Sequence, residues 1–241
     1  MHALVAFVES ALIAFVPISM WLGFWLLEDR TRPEPRKLIV RAFVAGMLSI
    51  ALVVPLERMV IGHLAPMSFM LFLAWAAIEE GSKFLVAWLA VLRHRAVDEP
   101  IDVPIYLITT ALGFSAVENT LFIIAPAMRD GVATAAVTGD LRAIGATLIH
   151  VLASAVVGGA IALAFYKGWW QKFVWGTGGV ILAVVLHATF NFSILKTDAG
   201  HVLTIFAGVW VGIIFLLLAL ERVKVLHRPA WWEKLFTKKH Y

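Results

Sequence analysis

Long apolar stretches, separated by short polar connections, dominate this sequence of 241 residues. Seven stretches each contain about 20 or more mostly apolar residues, the length that a helix needs to cross the hydrocarbon core of a bilayer. The connections are too short to separate a second domain. The pattern predicts an all-α, polytopic membrane bundle in which residues 1–241 form a single membrane-embedded domain. The predicted spans are Ala3–Leu27, Leu38–Gly62, Met67–Leu92, Ile101–Ile124, Leu141–Tyr166, Phe173–Leu195 and Val202–Leu220.

The composition supports this interpretation. Hydrophobic residues make up 61% of the chain and charged residues only 15%, against about 45–50% apolar and about 25% charged in soluble domains. These proportions exclude an ordinary soluble globule, and they exclude a disordered chain, which needs low hydrophobicity and high net charge. The chain contains no cysteine, which excludes disulfides, thiolate zinc sites and a cysteine nucleophile.

The distribution of Lys and Arg predicts the orientation in the membrane. Of the 20 basic residues, 15 lie in or beside the first, third and fifth connections and the C-terminal tail, whereas four lie in or beside the alternate connections. Basic residues accumulate on the cytoplasmic side of membrane proteins. We therefore expect the N-terminus outside and the C-terminus inside. The net charge of +4 reflects this topology, so we expect membrane lipid and not nucleic acid as a partner.

The C-terminal segment Pro229–Tyr241 mixes aromatic residues with lysines. Such a mixture is typical of segments that lie in the membrane interface. Two interpretations stay open: a short amphipathic helix on the inner leaflet, or a partly ordered basic tail.

A small set of polar residues lies deep inside the predicted spans. An ionisable group in the hydrocarbon core is energetically costly, so its presence there indicates a function. Most other charges lie near the ends of spans. The candidate residues are Glu79, Glu80 and Lys83 in the third span, Glu118 and Asn119 in the fourth, His150 in the fifth, and His187 and Asn191 in the sixth.

Four of these ionisable residues are predicted to lie in one layer of the membrane. With a rise of 1.5 Å per residue, Glu79 lies ~18 Å, Glu118 ~9 Å, His150 ~14 Å and His187 ~12 Å from the outer ends of their spans. Unrelated polar residues would have no reason to share a layer. We therefore expect these side chains to converge on one site in the outer half to the middle of the bilayer.

Spacing within the helices adds detail. Lys83 follows Glu79 by four residues and Glu80 by three, so its ammonium group can reach either carboxylate. The two glutamates diverge by about 100° around the helix, which lets one face the site while the other pairs with Lys83. His187 and Asn191 are four residues apart and share a face of their helix.

Two histidines and several carboxylates on facing helices suit two kinds of hydrolytic chemistry. Zinc takes about four ligands of these types and keeps one position for water in a catalytic site, where it lowers the pKa of that water to about 7. Metal-free hydrolysis instead needs a carboxylate base placed beside the water. The residue types alone leave both possibilities open.

Four sequence motifs occur in order on the third to sixth spans. They are EEGSK at 79–83, GFSAVEN at 113–119, His150 followed by Gly158, and HATFN at 187–191. Together they resemble the PrsW family of intramembrane proteases, and the stretch DRTRPEP at 29–35 resembles the first loop of that family. The family is related to the superfamily of CAAX-prenyl proteases and bacteriocin-processing enzymes, in which a histidine stands where this chain has Glu118 and Asn119.

The resemblance implies an intramembrane endopeptidase and a role for each residue. Glu79 is expected to activate water, with Glu80 as its partner carboxylate and Lys83 orienting or neutralising the pair. Asn191 is expected to donate a hydrogen bond to the oxyanion of the tetrahedral intermediate, and Asn119 is counted with the catalytic residues. A zinc ion is the expected cofactor, held by Glu118, His150 and His187.

The resemblance also implies a partner, namely a membrane-anchored protein or peptide as substrate. Proteases of this type are associated with trimming the extracytoplasmic part of a single-span anti-sigma factor. A site in the outer half of the bilayer suits such a cut. The expected location is a bacterial or archaeal plasma membrane, with the chain as a multi-pass protein.

Three alternatives stay open. In a metal-free protease, Glu79 and a histidine share the water, and His187 with Asn191 forms the oxyanion hole. A proton-coupled transporter would also use buried Glu, His and Lys groups, although no internal repeat and no pair of spans broken by Gly or Pro is present. A non-catalytic chaperone or sorting protein is expected to lose motif residues, and none of the four motifs is broken.

Overall fold

The computed structural model describes residues 2–28, 32–198, 200–226 and 229. Within these ranges the chain is a bundle of helices without a β-strand, which confirms the predicted all-α polytopic bundle. The interfacial helix considered for Pro229–Tyr241 lies outside the described residues, apart from its first residue. The helices are α1 (His2–Glu28), α2 (Arg36–Val60), α3 (Phe69–Ala87), α4 (Asp102–Asp130), α5 (Val132–Ile144), α6 (Ala146–Leu163), α7 (Trp169–Lys196) and α8 (Val202–Lys224).

Six helical segments of the described chain are long and apolar enough to cross a membrane. They are α1, α2, α4, α7, α8 and the combined segment Val132–Leu163. The remaining helix, α3, has 19 residues and continues into a π-helical turn at Trp88–Leu92. It differs from the others because it contains Glu79, Glu80 and Lys83, and all three are buried inside the bundle. Neighbouring helices therefore shield its charged residues from lipid.

The central helix of the bundle is α4. It packs against α1, α2, α3, α5 and α6, and all of its residues from Asp102 to Ala116 are buried. Large apolar side chains on the outer faces of α1, α2, α7 and α8 are exposed, and in a membrane these faces contact lipid. The candidate residues on α3, α4, α6 and α7 are therefore surrounded mainly by protein.

Glycines allow the central helices to touch through their backbones. A Cβ at Gly113 of α4 would lie 2.0 Å from the carbonyl oxygen of Phe43 in α2, and one at Gly158 of α6 would lie 2.5 Å from Cα of Pro104 in α4. Close approach through small residues is how membrane helices gain van der Waals contact. Gly159, by contrast, has nothing within 4 Å of the position that a Cβ would take.

The fifth predicted span, Leu141–Tyr166, is interrupted in the structure. The short helix α5 ends at Ile144 and α6 begins at Ala146, so Gly145 separates them. A Cβ at Gly145 would lie 2.3 Å from the ring of Phe206 in α8, and a larger residue therefore does not fit at this break. The stretch predicted to be a connection, residues 125–140, is also helical: α4 continues to Asp130, and α5 begins at Val132.

Candidate active site

Buried polar side chains from three helices meet in the centre of the bundle. Glu79, Glu80 and Lys83 extend from α3, His150 from α6 and His187 from α7, and all five are buried. α3 packs on α2 and α7, and α6 packs on α4 and α7. The packing of these helices brings together residues that are far apart in the chain.

Lys83 pairs with Glu80. Its Nζ donates to Oε1 of Glu80 at 2.6 Å and lies 3.0 Å from Nδ1 of His150, with the ring of Phe114 4.8 Å away. Because an ammonium group only donates hydrogen bonds, Nδ1 of His150 is the acceptor in this contact. Lys83 therefore links a carboxylate of α3 to the histidine of α6.

The other ring nitrogen of His150 contacts α4. Its Nε2 lies 3.0 Å from Oε2 of Glu118, and because a carboxylate accepts hydrogen bonds, Nε2 carries the proton. Arg142 of α5 donates to the same oxygen at 2.5 Å. These contacts select one neutral tautomer of His150, with a bare Nδ1 directed toward α3.

His187 is also held by a carboxylate, but through Nδ1, whereas His150 is held through Nε2. Its Nδ1 lies 2.8 Å from Oε1 of Glu80, and in the neutral ring it donates to that carboxylate and leaves Nε2 bare. Nε2 lies 3.8 Å from Oε2 of Glu79, and Nδ1 of His150 lies 3.7 Å from the same oxygen. Each histidine is thus backed by one carboxylate and presents its bare nitrogen to Glu79.

Oε2 of Glu79 is buried and has no hydrogen-bond partner among the described residues. Because buried polar atoms are normally paired, this oxygen and the unprotonated Nε2 of His187 mark a position that suits a cation or a proton donor, beside Nδ1 of His150, which accepts from Lys83. Ligand atoms of Glu79, His150 and His187 all lie within 4.8 Å of one another. Zinc prefers imidazole and carboxylate ligands, and outer carboxylates commonly orient its histidines. These residue types fit a zinc ion, whose binding would displace the ammonium of Lys83 from Nδ1 of His150.

Glu118 and Asn119 form a supporting layer beside His150. Oε2 of Glu118 accepts from Nε2 of the histidine, the nitrogen that is not directed toward α3. Asn119 accepts a hydrogen bond from Nε of Arg142 at 2.6 Å and donates to Oγ1 of Thr147 in α6 at 2.9 Å. The layer therefore connects α4, α5 and α6 around one side of the site.

Asn191 lies on α7 one turn after His187 and is half-buried. Residues four apart share a face of a helix, so its amide is on the side of α7 that carries the histidine. His187 itself is fully enclosed, with 1% of its surface exposed. Asn191 therefore shares the helix face of His187, and its role at the oxyanion stays a prediction.

Two further charged residues contact the site, and the sequence does not single them out. The carboxyl group of Glu57 in α2 lies close to that of Glu79. Arg142 of α5 contacts Glu118. Both lie near the end of a predicted span, where water normally solvates a charge. The available signal for Glu57 was its depth, ~8 Å from the predicted outer end, close to that of Glu118.

A helical membrane bundle whose buried centre brings carboxylates and histidines together has the groups that a membrane-embedded hydrolase needs. The chain belongs to the PrsW family, since the model of the PrsW family intramembrane metalloproteases matches residues 34–220. That range includes every site residue described above. The resemblance based on the four motifs is confirmed.

Relatives named Protease PrsW align with most of the chain. The protein of Shouchella clausii is 28% identical over 229 residues, which cover 92% of this chain and 98% of the relative. The protein of Geobacillus kaustophilus is 28% identical, and the alignment covers 84% of this chain and 85% of the relative. For Bacillus subtilis the identity is 27%, with 71% of this chain and 76% of the relative covered. No solved structure matches this fold.

The family and the fold together give the class of activity and the location. The protein is an intramembrane protease, and it is a multi-pass integral protein of the bacterial plasma membrane. Family membership favours the protease over the transporter and chaperone alternatives. A protease needs a base and a polarising group beside the scissile bond, and the buried cluster contains groups of both kinds.

Proposed function

We propose that this protease hydrolyses a peptide bond in or near the membrane, with Glu79 as the base that activates water. The observation that carries the proposal is the unpartnered Oε2 of Glu79, which faces bare nitrogens of His150 at 3.7 Å and His187 at 3.8 Å. Water in contact with this oxygen can give it a proton while attacking the carbonyl carbon. General base catalysis of this kind contributes ~10²–10⁴-fold to the rate.

The reaction needs a group that accepts the proton of water and a donor that stabilises the negative charge on the carbonyl oxygen. Glu79 takes the proton from water as the new C–O bond forms, and it returns the proton to the leaving amine as the C–N bond breaks. The negative charge on the former carbonyl oxygen needs a preorganised donor, and we assign this role to the amide of Asn191. Lys83 and Glu80, which pair in the interior, keep the two histidines in place.

Zinc is the cofactor that we propose for this site. Oε2 of Glu79, Nδ1 of His150 and Nε2 of His187 would hold the ion, and zinc would lower the pKa of its water to about 7 and polarise the substrate carbonyl. With Oε2 as a ligand, the other carboxylate oxygen of Glu79 would take the proton of the water in this version. We assign Glu118, which the sequence suggested as a ligand, to orienting His150. The reason is that Arg142 and His150 already engage its Oε2.

A metal-free mechanism uses the same atoms and remains our second candidate. Glu79 and His150 then share the water, and Asn191 donates to the oxyanion together with His187, which in this version is doubly protonated so that Nε2 carries a hydrogen as well as Nδ1. The observation in favour of this version is the position of Lys83, whose ammonium lies 3.0 Å from the nitrogen of His150 that faces the site. The ammonium of Lys83 supplies positive charge beside His150, where a metal ion would supply it in the zinc version.

We propose a membrane-anchored protein with a single span as the substrate, such as a regulatory anti-sigma factor. The predicted topology puts the site in the outer half of the bilayer, which suits a cut in the extracytoplasmic part of such a protein. The side chains of Glu118 and Arg142 are each 17% exposed, unlike the enclosed histidines. We expect water and substrate to reach the site from this side.

Cleavage of a reporter tests the proposed activity. The purified full-length protein in detergent is mixed with several purified single-span reporters, and the products are identified by mass spectrometry. We expect cleavage by the wild type and by His201→Ala, which removes an exposed histidine, and no cleavage by His187→Ala. A wild type that cleaves none of the reporters would count against the protease proposal.

Metal content tests the proposed cofactor on the same preparations. We expect about one zinc per chain in the wild type, loss of zinc in His187→Ala, and retention in Glu118→Gln. Full retention of zinc in His187→Ala would contradict the ligand set. Cleavage that survives complete demetallation would overturn the zinc version and support the metal-free one.

A further inference from the structure

We infer that Arg142 is a positioning residue of the active site: it holds Glu118, and through Glu118 it fixes the orientation and tautomer of His150. The inference rests on the function proposed above. The four sequence motifs do not include Arg142, and its place at the start of a predicted span indicated only membrane topology.

One guanidinium group spans two adjacent residues of α4. Nη2 of Arg142 donates to Oε2 of Glu118 at 2.5 Å, and Nε donates to Oδ1 of Asn119 at 2.6 Å. Two N–H groups of one rigid plane fix the direction of a contact as well as its length, which a lysine ammonium cannot do. Arg142 therefore restrains Glu118 in orientation as well as in distance.

Two further contacts keep the arginine and its partners in place. The ring of Phe122 lies 4.0 Å from Cζ of Arg142, a distance at which a guanidinium is attracted to an aromatic face. Thr147 accepts a hydrogen bond from Asn119 at 2.9 Å and so ties this layer to α6. Arg142 itself lies in the last turn of α5, next to the break between α5 and α6.

The influence of Arg142 reaches the reaction centre through one oxygen atom. Oε2 of Glu118 accepts from Arg142 and also from Nε2 of His150. Nε2 therefore keeps its hydrogen, and the bare Nδ1 faces Lys83 and Glu79. Without the arginine, Glu118 loses its charge partner and is no longer held toward the histidine, so the ring is free to use either nitrogen.

Kinetics of matched variants test this role. Wild type, Arg142→Gln, Arg142→Lys and the control Arg129→Gln are compared on one single-span reporter that the wild type cleaves. We expect kcat/KM of Arg142→Gln to fall ~10- to 100-fold, the usual effect of losing an outer partner of a metal-site or catalytic group, with the loss mainly in kcat. Arg142→Lys should recover part of the rate, and Arg129→Gln should match the wild type. A wild-type kcat/KM in Arg142→Gln would overturn the inference.

The tautomer of His150 gives a readout that does not depend on proteolysis. In protein labelled with ¹⁵N-histidine, the signals of His150 are identified by their absence from the NMR spectrum of His150→Asn. We expect a protonated Nε2 and a bare Nδ1 in the wild type and in Arg129→Gln, and a mixture of tautomers in Arg142→Gln. An unchanged His150 signal in Arg142→Gln would overturn the inference even if cleavage is lost.

The two readouts separate failure of this inference from failure of the proposed function. If the wild type cleaves no reporter, the proposed function fails, and the His150 spectrum still decides the role of Arg142. If Arg142→Gln does not fold, Arg142→Lys replaces it in both measurements. The lysine keeps the positive charge but cannot hold Glu118 and Asn119 with one rigid group. A reduced kcat/KM with an altered tautomer would support the inference, and wild-type behaviour in both would refute it.

Discussion

Two adjacent glutamates of α3 occupy different chemical environments. Oε1 of Glu80 contacts both Lys83 and His187. Each glutamate also has one buried oxygen without a described partner, but only that of Glu79 lies 3.7–3.8 Å from nitrogens of both His150 and His187. The sequence predicts that one glutamate pairs with the lysine, because both are within reach along the helix. It does not predict which one, because the choice depends on His150, 67 residues from Lys83, and on His187, 107 residues from Glu80.

Glu80→Gln is expected to destabilise the fold. The substitution keeps the shape of the side chain but leaves the ammonium of Lys83 without its carboxylate, and breaking a buried ion pair typically costs about 3–5 kcal/mol. Thermal unfolding of the detergent-solubilised protein measures the effect. Glu9→Gln on α1 is the control and should unfold like the wild type. An unchanged unfolding temperature for Glu80→Gln would mean that this ion pair does not stabilise the bundle.

Glu57 is expected to act through the carboxyl group that it places close to Glu79. Glu57→Gln keeps a polar group of the same shape beside Glu79, so its kcat/KM on the reporter should stay within ~3-fold of the wild type. Glu57→Ala removes that group and should lose ~10-fold, about the value of one net hydrogen bond. Arg58→Ala, at the adjacent exposed position, controls for a general effect at this end of α2. Equal rates for Glu57→Ala and the wild type would exclude a positioning role.

At the level of elements, the hydrophobic pattern predicts where the helices lie better than where they are interrupted. α1 covers His2–Glu28 and α8 begins at Val202, both within one residue of the prediction. The neighbours of Gly145 do not indicate that a helix ends at this residue. The ring of Phe206 in α8 occupies the space that a Cβ would take there, and this contact favours glycine at the break. Such a contact between distant parts of the chain leaves no periodic signal near the break.

Gly113→Ala is expected to destabilise the contact between α2 and α4. The new Cβ would lie 2.0 Å from the carbonyl oxygen of Phe43, so the backbones must separate, and overpacking of this kind typically costs about 1–3 kcal/mol. Gly159→Ala is the matched control, because its Cβ meets open space. Thermal unfolding should show a loss for Gly113→Ala only. Equal unfolding temperatures would contradict the close packing of these helices.

At the level of the whole molecule, the sequence predicts depth but not the lateral order of the helices. Shared depth is enough to expect Glu79, His150 and His187 in one layer. It is not enough to show that Arg142 reaches from α5 to Glu118. For this reason the sequence alone favours Glu118 as a metal ligand, whereas the assembled helices favour Glu79 in our proposal.

The predicted orientation of the whole chain can be measured directly. With the N-terminus outside and the C-terminus inside, a fluorescent protein fused to the C-terminus should fold and fluoresce in the cytoplasm, while alkaline phosphatase at the same place should be inactive. The physical reason is the concentration of basic residues on one side. The opposite result for both fusions would place the active site in the inner half of the bilayer and contradict the proposed extracytoplasmic cut.

The central claim is that the unpartnered oxygen of Glu79, between His150 and His187, is where water is activated. The most direct measurement is single-turnover cleavage of a single-span reporter by wild type and by Glu79→Gln, which keeps the shape of the side chain and removes the base. We predict that the wild type cleaves at one defined bond and that Glu79→Gln is slower by ~10²–10⁴-fold while folding like the wild type. Cleavage at the wild-type rate by a folded Glu79→Gln would contradict this account.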